Sequence, residues 1–157
     1  MTPTFARTIM HIDFDSFFAS VEQQANPYFR NKPLGVTGSS LTRGVICAAS
    51  REAKKHGIKT GMPVFRAREQ CPQIIIVTGD FTKYQYIHKK SLELFARFTD
   101  LVEPFSIDEA FIDVTQTQRF FGGAKNKVPP ARRLWRICNL LNRRRAEQIN
   151  GQAGLRF

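Results

Sequence analysis

Hydrophobic and polar positions fall into short runs that predict a mixed succession of strands and helices. RTIMHIDF, from Arg7 to Phe14, reads as a buried strand. DSFFASVEQQAN follows as a helix, with Asp15 or Ser16 as its N-cap and Asn26-Pro27 as its stop. KPLGVTG and RGVICAAS read as strands, and SREAKKHG as a short helix capped by Ser50 and ended at Gly57. GMPVFRAREQCP predicts another short helix, and the β-branched run QIIIVTGD a strand. From Thr82 to Phe98, Tyr84, Ile87, Ser91, Leu94, Phe95 and Phe98 recur at helical spacing. LVEPF and AFIDVT, separated by SIDE, predict a hairpin. After the link GGAKNKVPP, a helix enters from Pro130, and NGQAGLRF reads as a turn and the start of a strand.

Setting aside the mixed region and the long helix after it leaves strand, helix, two hairpin strands, helix and the start of a strand. That order is the β-α-β-β-α-β, or split-βαβ, plan. The expected fold class is therefore α+β: a ferredoxin-like sheet with an insertion after the first strand and helix, cut within its last strand.

The 157 residues, 42% of them hydrophobic, suffice for one compact domain with a small insertion. Lys and Arg number 24 against 13 Asp and Glu, a net charge of +11 that favours a polyanionic partner, nucleic acid before membrane. Cys47, Cys71 and Cys138 show no CxxC spacing, which argues against a zinc site and for reduced, apolar filler. The opening MTPTFARTIM is too short and polar for a signal peptide, and no apolar run reaches membrane-spanning length. The expectation is a cytoplasmic or DNA-associated protein with no membrane contact.

The acidic residues carry the chemistry. Burying a carboxylate is costly unless it is paired, capped or bound to a metal. In the first strand His11 and Asp13 face one way, Ile12 and Phe14 the other. Asp15 is explained by helix capping; Asp13 lies too early for that. In SIDEAF, Asp108 and Glu109 sit at or beside the hairpin tip, where a plain turn-and-solvent reading competes with a chemical one. The split-βαβ plan sets the first strand beside the hairpin, so Asp13, Asp108 and Glu109 are expected at one edge of the sheet. Converging carboxylates require a cation. All-oxygen ligation favours Mg²⁺, with Mn²⁺ as a substitute, and a pair of such ions is the usual device for phosphoryl transfer.

HIDFDSFFASVE, GVICAASREAKKHGIKTGMP and FSIDEAFIDVT, in this order, resemble the motifs of the Y-family, or translesion, DNA polymerases, nearest to the DNA polymerase IV and UmuC-like kinds. The resemblance runs from about Ile9 to Gly123. It implies a palm formed by residues 1–25 and 81–157, with a fingers insertion at 26–80. It also implies that the chain is a catalytic-core piece, its last palm strand incomplete at Phe157 and its thumb and little finger absent. Asp13, Asp108 and Glu109 match the metal-binding carboxylates, and Phe14 the residue whose backbone carbonyl completes one metal's shell. Phe18 matches the steric gate against a 2′-hydroxyl, with Phe17 beside it in the nucleotide-binding motif. Cys47 falls where a small residue roofs the nascent base pair. Arg51 and Lys54 stand where relatives carry a Tyr and an Arg that hold the triphosphate. Lys lacks the fork of Arg, so looser contact is implied. Glu22 and Ser106 are expected in supporting roles.

The implied reaction is template-directed addition of a deoxynucleotide to a primer 3′-end in DNA damage bypass. Primer-template DNA and deoxynucleoside triphosphates are its partners. A sliding clamp, the family's usual recruiter, would bind through segments outside this chain. The implied location is the cytoplasm, at the nucleoid in a bacterium. Arg143-Arg144-Arg145 reads as a solvated helix end before it reads as a DNA contact. Two other readings stand beside the polymerase: a nucleotidyl cyclase on a related sheet, and a non-catalytic nucleic-acid-binding protein.

Overall fold

The computed structural model describes residues 7–38, 40–117 and 119. The link after the hairpin, the helix entered from Pro130, the run Arg143–Arg145 and the strand expected at Phe157 lie outside the described residues. The described residues form a mixed α/β fold in two compact units, one of 7–14 with those from 85 onward, the other of 15–84.

The first unit is built on a three-stranded antiparallel sheet. Its strands are β1 (Ile9–Asp13), β5 (Val102–Pro104) and β6 (Glu109–Asp113), in the order β1-β6-β5. This is the arrangement the split-βαβ plan requires of a first strand and a hairpin. Register pairs Ile9 with Asp113, His11 with Phe111 and Asp13 with Glu109. Alternation then sorts the side chains. Met10, Ile12, Phe14, Ala110, Ile112 and Val114 pack with Leu94 and Phe95 of helix α4 (Phe81–Phe95). On the other face the His11 and Phe111 rings stack with centroids 4.5 Å apart. Phe105 and Ser106 close the hairpin by donating their amides to the Glu109 carbonyl at 3.0 and 3.2 Å. The far end is tied by Arg7, which donates to the Asp113 carboxylate at 2.8 Å. The Thr115 hydroxyl and amide, then Arg7, hold that carboxyl down at about 2.

The helix covering this sheet departs from the sequence plan. The split-βαβ plan takes helix α1 (Phe17–Ala25) as its first helix and leaves α4 outside. Among the described residues α4 packs on this sheet through Leu94 and Phe95, whereas Ala19 of α1 packs on Leu34, Val36 and Ala48.

The second unit holds β2 (Leu34–Thr37), β3 (Ile46–Ala49) and β4 (Ile75–Thr78) in the order β3-β2-β4. Strand β2 runs antiparallel to β3 and parallel to β4. As the central strand it is buried along its whole length. Ile46, Ala49, Ala53, Ile58, Val64, Ala67, Cys71 and Ile74 form a core with helices α2 (Arg51–Lys55) and α3 (Val64–Gln70). Ser50 caps α2 as expected, its hydroxyl accepting from the Ala53 amide at 3.2 Å. Gly57 ends the turn in the left-handed region, φ +79°, where a side chain is disfavoured.

Candidate active site

The acidic end of the first unit's sheet is assembled from strand geometry. Asp13 closes β1, Glu109 opens β6, and register sets them directly opposite. Opposed residues share a face with Cβ atoms about 4.5–5.5 Å apart. Here it is the face away from Met10, Ile12, Ala110 and Ile112, so both carboxylates project outside the core. Among the described residues neither forms a hydrogen bond or an ion pair. Asp108 is one residue further along the hairpin. The Phe14 amide donates to its carbonyl at 3.1 Å, joining the end of β1 to the hairpin tip. The Asp108 carboxylate accepts from the Ser106 hydroxyl at 2.6 Å.

The three predicted carboxylates therefore meet at one sheet end but do not form a closed cage. Among the described residues no three His, Cys, Asp or Glu side chains stand ready to hold a metal ion. The donors nevertheless suit a hard divalent cation. All are oxygens, and the two facing carboxylates have no counter-charge among the described residues.

In the second unit Phe17 is buried and Phe18 half-buried at the start of α1. The Phe18 ring packs beside Ala19, Leu34 and Val36 and stacks on Tyr84, with centroids 4.4 Å apart and planes 25° from parallel. Tyr84 is fixed in turn by Glu22, one turn after Phe18 on the same helix face. The Tyr84 hydroxyl donates to Glu22 Oε1 at 2.9 Å, and Lys83 Nζ donates to Oε2 at 2.8 Å. Burial, then the Glu22 charge, pushes the Tyr84 phenol far above its usual range. Cys47 lies exposed on β3.

Arg51 and Lys54 share one face of α2, and here the structure corrects the sequence reading. Asp15 does not cap α1. Arg51 Nε donates to its Oδ2 at 2.7 Å and Lys54 Nζ to its Oδ1 at 3.0 Å. These bonds, Arg51 first, bring the Asp15 carboxyl down to about 2. Ser16 takes the cap position in a left-handed conformation, φ 54°, and its side chain makes no cap bond. Two bonds to full cations outweigh the single backbone N–H bond of a cap, and the turn at Ser16 accompanies that choice. Sequence reasoning also missed Lys83 and Tyr84. The available signal was Glu22, a charge one turn from Phe18 on a mostly apolar helix face.

A family model described as the impB/mucB/samB family matches residues 12–155. The chain belongs to that family. Its relatives carry the names the motifs suggested. It is 48% identical over 112 residues to a DNA polymerase IV of Xanthomonas oryzae pv. oryzae, covering 71% of this chain and 31% of that protein. It is 42% identical over 127 residues to a DNA polymerase IV of Listeria monocytogenes serotype 4a, covering 81% and 35%. The crystal structure of DinB from Sulfolobus solfataricus superposes with a TM-score of 0.73 at 35% identity, over 83% of this chain and 38% of that one. A Y-family DNA polymerase chimera gives 0.72 at 35% identity, over 80% and 37%. The chain thus has the mixed α/β fold of Y-family polymerases and spans about a third of the length of the curated relatives it matches. Among the described residues no helix is long and apolar enough to cross a membrane.

Proposed function

We propose that this chain supplies the catalytic carboxylates and nucleotide contacts of a translesion-type, template-directed DNA polymerase. The observation that carries the reading is the register of β1 against β6, which sets Asp13 opposite Glu109 with Asp108 beside them and, among the described residues, no cationic side chain paired to the first two. Asp13, Asp108, Glu109 and the Phe14 carbonyl would hold two Mg²⁺, or Mn²⁺ in their place. When bound, such ions neutralise charge on the attacking 3′-oxygen and the leaving pyrophosphate. The protein's own share is positioning. Phe14 ties β1 to the hairpin tip, and Ser106 orients Asp108.

Arg51 and Lys54 would bind the triphosphate as two point cations from one short helix. Phe17 and Phe18 would lie against the sugar, and Phe18, backed by Tyr84, would refuse a 2′-hydroxyl. Cys47 would leave an open roof over the new base pair. The unit of 7–14 with the residues from 85 onward would then serve in the palm, and 15–84, α1 included, as fingers. The partners are primer-template DNA and deoxynucleoside triphosphates, and the excess of 24 basic over 13 acidic residues suits the phosphate backbone. A cytoplasmic, DNA-associated location follows from that role.

Primer extension by the full-length protein tests this reading. Asp108→Ala should abolish extension and leave DNA binding near the wild-type level. Normal extension by that variant refutes the carboxylate assignment.

A further inference from the structure

Arg51 and Lys54 are not idle in this structure. Each grips a different oxygen of Asp15, at 2.7 and 3.0 Å. The carboxylate is held from its own side of the chain. The Ser16 hydroxyl donates to Oδ1 at 3.1 Å, and the Ser20 hydroxyl donates to the Asp15 carbonyl at 2.9 Å. The two cations stand at i and i+3 on α2, one face of a helix anchored by buried Ala53 and capped by Ser50. Asp15 therefore meets a pair of cations spaced by the backbone.

The pairs are built to be exchanged. The side chains of Asp15, Arg51 and Lys54 are 47, 66 and 49% exposed, so water and salt weaken the attraction. Arg51 is engaged through Nε, and its terminal nitrogens make no hydrogen bond among the described residues. A phosphate can be gripped there before Asp15 is released, so the guanidinium is never left without an anion.

We propose that Asp15 is an internal counter-anion for the nucleotide-binding cations: it occupies Arg51 and Lys54 in the empty protein, and the triphosphate of an incoming nucleotide displaces it. This rests on the reading of Arg51 and Lys54 as triphosphate contacts. Asp15 acts through them and is a competitor, not a catalytic residue. Its charge also repels the ligand, so removing it favours binding twice over. The site trades affinity for two cations that stay paired between turnovers.

The test is calorimetric titration of dATP with Mg²⁺ into the protein at low and moderate salt. Asp15→Asn should tighten binding about three- to tenfold, or about 0.7–1.4 kcal/mol, and steepen its salt dependence. Arg51→Gln and Lys54→Gln should each weaken binding, in the wild type and in the Asp15→Asn background. Urea midpoints matching the wild type establish that the variants fold. If Asp15→Asn shifts its midpoint, Asp15→Ala carries the same expectation. Wild-type affinity in both cation variants overturns the triphosphate reading itself. Weakened cation variants combined with unchanged or weaker binding by Asp15→Asn overturn the counter-anion alone. No binding by any variant, Asp15→Asn included, overturns both.

Discussion

Removing Glu22 should destabilise the second unit by an amount that its surroundings determine. The residue is 6% exposed and carries a charge inside the fold. Tyr84 donates to one oxygen at 2.9 Å and Lys83 to the other at 2.8 Å. Each hydrogen bond to a charged group contributes about 1.5–3 kcal/mol. In Glu22→Ala the Lys83 ammonium, its side chain 17% exposed, can turn to water, which places its loss at the low end of that range. The Tyr84 hydroxyl, on a residue 2% exposed, has no such exit. The expected cost is about 3–4 kcal/mol, in the range found for breaking a buried ion pair from one side. Tyr84→Phe keeps the ring against Phe18 and removes only the hydroxyl, so it should cost about 1.5–2 kcal/mol. Urea unfolding followed by far-ultraviolet circular dichroism measures both. The double variant should cost less than the sum, because the two substitutions remove one shared bond. A cost for Glu22→Ala below about 0.5 kcal/mol, the level of an ordinary surface change, would refute the reasoning.

The buried phenol also sets a pH dependence. Because folding raises the Tyr84 value above its ordinary 10.0, the folded state keeps a proton that the unfolded state gives up. The stabilisation is complete below the unfolded value and is lost as pH rises above it, by up to about 1.4 kcal/mol per pH unit. Stability measured from pH 9 to 11 should fall less steeply in Tyr84→Phe, and equal slopes would show that the phenol ionises in the fold. Gly57→Ala should cost about 1–2 kcal/mol in thermal or urea unfolding, because φ is +79° and a Cβ would lie 2.3 Å from Gln70 Nε2. A neutral result would mean that the turn relaxes freely. Phe18→Ala in the full-length protein should raise ribonucleotide incorporation relative to deoxyribonucleotide; an unchanged sugar preference would leave Phe18 as a packing residue of the unit.

Local chemistry determined much of this protein from the sequence alone. The alternation in MHIDF placed Asp13 on the face opposite Ile12, because strand side chains repeat every two residues. Ser50 and Gly57 marked the ends of α2, because capping and left-handed turns depend on only a few neighbouring atoms. The order of strand, hairpin and carboxylates was enough to anticipate that Asp13 and the SIDE segment share a sheet end. Tertiary structure decided what depended on distant partners. Which helix covers the β1-β6-β5 sheet could not be read from periodicity, because α1 and α4 both carry an apolar face; packing on Leu94 and Phe95 selected α4. Asp15 looked like a cap because the cations that claim it lie 36 and 39 residues away. The sequence marks Glu22 only as a supporting position in a motif; its partners Lys83 and Tyr84 lie 61 and 62 residues on and meet it only in the fold. A charge's role is set by the nearest opposite charge in space, and only the folded chain brings that charge close.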